Sequence, residues 1–143
     1  DIKSLPPSVA QPNDTTAYYR AVGAALLANA ELHRKARQYA AARADLTRYV
    51  EAYPHSGEGY YRIGETWRKE SPDGPDFTQR NNAYRKAIAI DPQFAPAYKE
   101  LAMALRQQGD KQAALAFFAQ YLERVPDAAD AGIIRAYMEG LRQ

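Results

Sequence analysis

Prolines at positions 54, 92 and 126 each close a run of helical periodicity, at intervals of 38 and then 34 residues. An interval near 34 residues is the mark of one supersecondary unit used repeatedly, each copy burying its apolar face against the next. The stretch from Ala95 to Pro126 shows the unit most clearly. Tyr98, Leu101, Ala102 and Leu105 share one helical face. Gly109-Asp110 then breaks the pattern, Ala114, Phe118 and Tyr121 line a second helix, and Pro126 ends it.

The same order recurs upstream. Tyr60, Ile63, Gly64 and Trp67 precede Ala83, Tyr84, Ala87, Ile88 and Pro92. A more degenerate copy has Leu26, Asn29-Ala30 and His33, followed by Tyr39, Ala42, Leu46, Tyr49 and Pro54. These residues resemble the tetratricopeptide repeat (TPR), with Leu105 where the family usually has Tyr. The resemblance implies an all-α, right-handed TPR superhelix, an α-solenoid of three helix pairs plus a C-terminal capping helix. The expected helices span 14–36, 38–52, 57–70, 76–90, 95–108, 111–124 and 128–141. They form one domain over 14–143, with repeats at about 23–56, 57–94 and 95–128.

Local chemistry refines these expectations. Pro6, Pro7 and Pro12 make 1–13 an extended tail or linker, with helix starting only beyond Pro12. Gly23 reads as an ordinary exposed helix position that could bend its helix, whereas Gly64 and Ala102 fall where helices approach closely. The four extra residues of the second repeat belong between its helices, in 71–76, with Asp76 and Gln79 as a capping box. Arg80 falls in a slot that suits a small residue, in conflict with close packing. Asp127 can cap the last helix, whose Ile134, Tyr137, Met138 and Leu141 form one apolar face suited to covering the end of the array.

Composition bounds the function. The 143 residues suffice for one domain with a real core. No apolar run approaches the roughly 18 residues of a membrane span, so a soluble chain without membrane insertion is expected. A net charge of +2 argues against nucleic acid as partner. With no cysteine, thiolate chemistry and disulfides are excluded. His33 and His55 have no ligand-spaced companions, so no metal is expected. Phosphate-cradling loops, nucleophile motifs and singled-out carboxylate couples are likewise missing, so neither cofactor nor catalysis is expected. The chain begins at Asp1, and an upstream segment removed by processing or by choice of boundaries is expected.

The resemblance implies that the first helices of successive repeats line a concave groove. Register then puts Arg34, Arg68 and Arg106 in one slot, with Lys35 and Lys69 in the next. Glu31, Glu65 and Met103 lie three positions before the arginines, and Leu27, Tyr61 and Lys99 four before those. Arginine grips carboxylates with two hydrogen bonds, and Arg and Tyr commonly anchor interfaces. The candidate peptide-binding groove is therefore Arg34, Lys35, Tyr61, Glu65, Arg68, Lys69, Lys99, Met103 and Arg106. The alternative is a solvated face in which Glu31 and Glu65 merely pair with basic residues one turn on. Chaperone tails held by a lysine-asparagine clamp fit less well. Asn29 falls in a core slot and Lys99 alone would suit.

The functional expectation is a non-catalytic module holding a peptide or partner segment in this groove. An accessory or regulatory domain of a larger enzyme, such as a bacterial envelope metallopeptidase, is the alternative, as is homo-oligomerisation. The phrase Tyr49 to Gly64 resembles TPR segments of bacterial cell-envelope proteins, which favours envelope or periplasm over cytoplasm.

Overall fold

A computed structural model describes residues 12–143, with side chains from residue 17 onward. Of the tail expected at 1–13, residues 12 and 13 belong to the first helix, and residues 1–11 lie outside the described residues. The rest forms seven helices and, among the described residues, no strand: α1 Pro12–Lys35, α2 Tyr39–Ala52, α3 Gly57–Glu70, α4 Thr78–Ile90, α5 Ala95–Gln108, α6 Lys111–Arg124 and α7 Ala131–Arg142. Each helix packs against the next in chain order. The result is the expected solenoid of helix pairs.

The helix boundaries differ from expectation where capping chemistry was misread. Helix α1 begins at Pro12 itself, because a first-turn proline gives up only an amide that the helix does not use. Asp76 accepts from the Thr78 amide at 2.8 Å, which leaves Phe77 at the N-cap and starts α4 two residues late instead of forming a capping box. The last helix starts at Ala131, not 128. Its N-cap residue is Asp130, whose side chain makes no capping bond, and not the exposed Asp127. Gly109 ends α5 with φ of 87°, and the Asp110 side chain accepts from the Ala113 amide to open α6.

The best-filled core surrounds the α5–α6 hairpin. Tyr84, Tyr98, Leu101 and Phe118 are buried there. Ile134 and Met138 of α7 close its far side, as the apolar face of that helix suggested. Asp130 fixes α7 to both neighbours, accepting from Lys99 at 2.9 Å and from the Tyr121 hydroxyl at 2.8 Å.

Two glycines are sites of close approach. A Cβ on Gly64 would lie 2.5 Å from the Tyr84 ring, so α3 and α4 touch where the small-residue slot required. Gly23 contradicts its expectation. It is buried, and a Cβ there would lie 2.6 Å from the ring of Tyr53. The Tyr53 hydroxyl donates to the Tyr19 carbonyl, which holds the ring across the helix. Asn29 is also corrected: it is exposed, and the neighbouring Ala30 fills the core slot.

Arg80 resolves its own conflict. Its side chain is buried over the Phe77 ring and donates to the carbonyls of Ser71 and Pro72 at 2.8 and 2.9 Å. The four inserted residues thus come with their own internal clamp. Gln107 of α5 donates to the same Pro72 carbonyl at 3.2 Å.

Candidate functional site

The first helices α1 and α3, with the start of α5, line a cavity of about 570 Å³. Tyr61 forms its floor, half-buried with its ring centre 5.3 Å from that of Phe94 and 6.0 Å from that of Tyr84. Burial raises the Tyr61 phenol above its ordinary pKa, so it stays neutral. The walls alternate in sign: Glu31 and Arg34 from α1, then Glu58, Arg62, Glu65 and Lys69 from α3. Helical spacing makes this pattern, because residues three and four apart share a face.

One cluster dominates the electrostatics. Arg68 binds Glu65 through both carboxylate oxygens, at 3.0 and 2.6 Å, and its Nε lies 3.5 Å from Glu100 of α5. The Tyr84 hydroxyl donates to Glu65 at 2.7 Å. Burial alone would raise the Glu65 pKa, but the hydrogen bonds from Arg68 and Tyr84 outweigh it and hold the carboxyl below its ordinary value. Glu100 goes the other way. Burial raises it, the Glu65 charge adds to the rise, and Arg68 offsets this only in part. Glu100 was not singled out from sequence. It occupies the repeat slot of Arg62, and that reversal of sign opposite Arg68 was the available signal.

The nine sequence-derived residues divide into two groups. Arg34, Lys35, Tyr61, Glu65, Arg68 and Lys69 come together around α1 and α3. Arg34 is held by Glu31, with Nε at 2.9 Å from the carboxylate. Lys35 and Lys69 are exposed. The other three are drawn toward the end of the array. Lys99 is paired with Asp130, Met103 packs against the core, and Arg106 stacks on Tyr137 of α7 at 4.1 Å. Arg106 lines a separate cavity with Tyr137 and Leu141, so the arginines of the first two repeats share a cavity that the third does not reach. In the third repeat the following helix is α7, and its Tyr137 takes the Arg106 guanidinium.

The two histidines have structural settings. His33 Nδ1 lies 2.8 Å from Asp45 of α2, and His55 is exposed in the turn after α2. No helix among the described residues is long and apolar enough to cross a membrane.

Two family models described as tetratricopeptide repeat match residues 27–71 and 83–116, which fall on the repeats already counted. The chain belongs to the tetratricopeptide repeat family. Part of this TPR chain is 36% identical over 88 residues to the probable biofilm formation methyltransferase WspC of Pseudomonas putida. That alignment covers 62% of the chain and 18% of the relative, so the chain spans under a fifth of the relative's length. Among solved structures, the first TPR of Spaghetti (RPAP3) bound to HSP90 peptide SRMEEVD is similar at TM-score 0.72 and 16% identity, over 85% of this chain and 96% of that one. The TPR2B domain of yeast Sti1 in its pHsp70 complex gives 0.73 and 17%, over 86% and 98%. The type III secretion translocator chaperone SycD of Yersinia enterocolitica gives 0.70 and 12%, over 93% and 87%. At these identities the likeness is one of TPR fold.

Proposed function

We propose that this TPR domain is a non-catalytic protein-interaction module that holds a peptide segment along α1, α3 and the start of α5. The observation that carries this reading is the cavity of about 570 Å³ with an aromatic floor and walls of alternating charge. An extended chain presents side chains of either sign to such walls, while Tyr61 supplies apolar contact at little conformational cost. The pairs Glu31–Arg34 and Glu58–Arg62 are partly exposed, so each is worth only a few tenths of a kcal/mol and can exchange partners with a ligand. The similar first TPR of Spaghetti (RPAP3) is bound to HSP90 peptide SRMEEVD and the similar TPR2B domain of yeast Sti1 is in a pHsp70 complex, which supports a peptide as ligand class.

Selection of a random peptide library on the immobilised protein, followed by amide chemical-shift mapping, tests the reading. Selected peptides should perturb Tyr61, Arg62 and Glu65, and Arg62→Glu should weaken them roughly tenfold if a rim charge pair is inverted. Perturbations confined to α2, α4 and α6 would refute it.

A second reading, an accessory domain of a larger enzyme, is favoured by the similarity to WspC, of which this chain spans 18%. The two readings are compatible, since such a domain would act through the same groove.

A further inference from the structure

Beside the groove, at the carboxyl-terminal ends of α1 and α3, lies a second cavity of about 560 Å³. Arg34, Lys35, Arg37, Arg68 and Lys69 line it, with Tyr39, and no carboxylate does. Arg34 and Arg68 are already held by Glu31 and Glu65. For Lys35, Arg37 and Lys69, no carboxylate of the described residues forms an ion pair. Cations in the last turn of a helix answer the negative end of its dipole, and that accounts for Lys35 and Lys69 without any ligand.

It does not account for Arg37. This residue stands beyond the end of α1 with φ of 62°, in the left-handed region that disfavours any residue with a Cβ. The turn is the same one that closes α5. Arg37 N donates to Arg34 O and Gln38 N to His33 O, just as Gly109 N donates to Arg106 O and Asp110 N to Leu105 O. The third repeat uses glycine at this point, with φ of 87°, and the first uses arginine. Backbone strain is thus accepted where it adds a cation to a cavity that holds four others.

Arg34 and Lys69 line both this cavity and the groove, so a chain lying in the groove runs on into it. We infer that this cleft receives a cluster of carboxylates, the acidic end or acidic stretch of the peptide held in the groove. The inference rests on the groove reading for the rest of the ligand. Lys35, Arg37 and Lys69 supply the charge without giving up a carboxylate partner, whereas Arg68 is held by the buried Glu65. The wall on the α4 side is the inserted loop at Pro72, held in place by Arg80 and Gln107.

The test uses fluorescein-labelled hexaglutamate as probe, with hexalysine, inorganic phosphate and phosphatidylglycerol vesicles as controls. Wild-type protein should bind hexaglutamate at low salt, lose it as salt rises, and ignore hexalysine. Arg37→Gly should melt at a higher temperature than wild type yet bind roughly two- to fivefold more weakly, since one exposed charge pair is worth under about 1 kcal/mol. A purely structural arginine would give the first effect without the second. Lys35→Ala/Arg37→Gly/Lys69→Ala should abolish measurable binding while remaining folded. Unchanged affinity in that triple variant overturns the inference. So does competition by inorganic phosphate at equal charge concentration, which would mean nonspecific anion attraction, or binding of vesicles through these side chains without binding of the peptide. The groove reading fails separately. If library peptides never map to Tyr61 and Arg62 while hexaglutamate still shifts Lys35, Arg37 and Lys69, the cleft stands and the groove falls. If library peptides map to the groove but carry no acidic bias, and hexaglutamate is ignored, the groove stands and the cleft falls.

Discussion

The ring of Tyr84 occupies the space that a methyl group on Gly64 would need, with its Cε1 2.5 Å from the position of a Cβ. Tyr84 is fully buried and its hydroxyl is tied to Glu65, so the ring cannot swing away. Gly64→Ala should therefore lower stability by about 1–3 kcal/mol, the usual result of overpacking, despite alanine's better helix propensity. Gly23→Ala should destabilise as well, because Tyr53 lies 2.6 Å from its Cβ position. Gly140 has open space around it in α7, and Gly140→Ala should raise stability by about 0.5–1 kcal/mol. Urea titration of the three variants checks the order, and a stabilised Gly23→Ala would show that the Tyr53 contact gives way without cost.

Arg80 offers a separable pair of effects. Arg80→Met keeps an apolar stem over Phe77 but removes the donors to Ser71 and Pro72, and should cost on the order of 1 kcal/mol. Arg80→Ala also removes the packing, and should cost about 2–4 kcal/mol by analogy with other large-to-small core changes. Both should speed amide exchange in 71–77 before any change in α5 and α6. Equal losses in the two variants would mean that the packing over Phe77 contributes nothing, and an unchanged Arg80→Met protein would mean that the hydrogen bonds contribute nothing.

Glu65 and Glu100 should give opposite pH signatures. The Glu65 pKa is lowered in the fold, so its stabilisation is present above the ordinary glutamate range and is lost as pH falls through the depressed value. The Glu100 pKa is raised, so the folded state binds its proton more tightly, and stability falls as pH climbs from the ordinary range through the raised value. Glu65→Gln should thus be destabilising at neutral pH, and Glu100→Gln stabilising. Both differences should shrink toward zero in acid. Denaturation midpoints at neutral pH and in acid check this, and a Glu100→Gln protein weakened at neutral pH would reverse the sign.

Helices α2 to α6 were legible because each is written twice, once as a 3.6-residue apolar period and again as a proline or glycine stop. What was lost depended on residues far apart in the chain. Gly23 looked exposed because the ring that covers it, Tyr53, comes from the far end of the next helix. Arg80 looked misplaced because its partners are carbonyls of an irregular loop, which no side-chain pattern encodes. Arg106 shares a repeat slot with Arg34 and Arg68, yet the last pair of an array has a different neighbour, and Tyr137 of α7 takes the guanidinium. Glu100 shares its slot with Arg62, and it was missed because its role depends on the reversed sign of its charge opposite Arg68.

The four-residue insertion in the second repeat also bears on direction and register. An array of like units is nearly periodic, and a bound chain displaced by one unit would meet similar slots. The loop at 71–77, clamped from beneath by Arg80 and from the side by Gln107, rises at one place along one edge and at no equivalent place in the other two repeats. For a chain held in the proposed groove it would be a fiducial mark on an otherwise repeating ruler. Such a chain, slid by one unit or reversed, would meet the mark at the wrong residue, so the insertion would remove a degeneracy that the repeats alone leave.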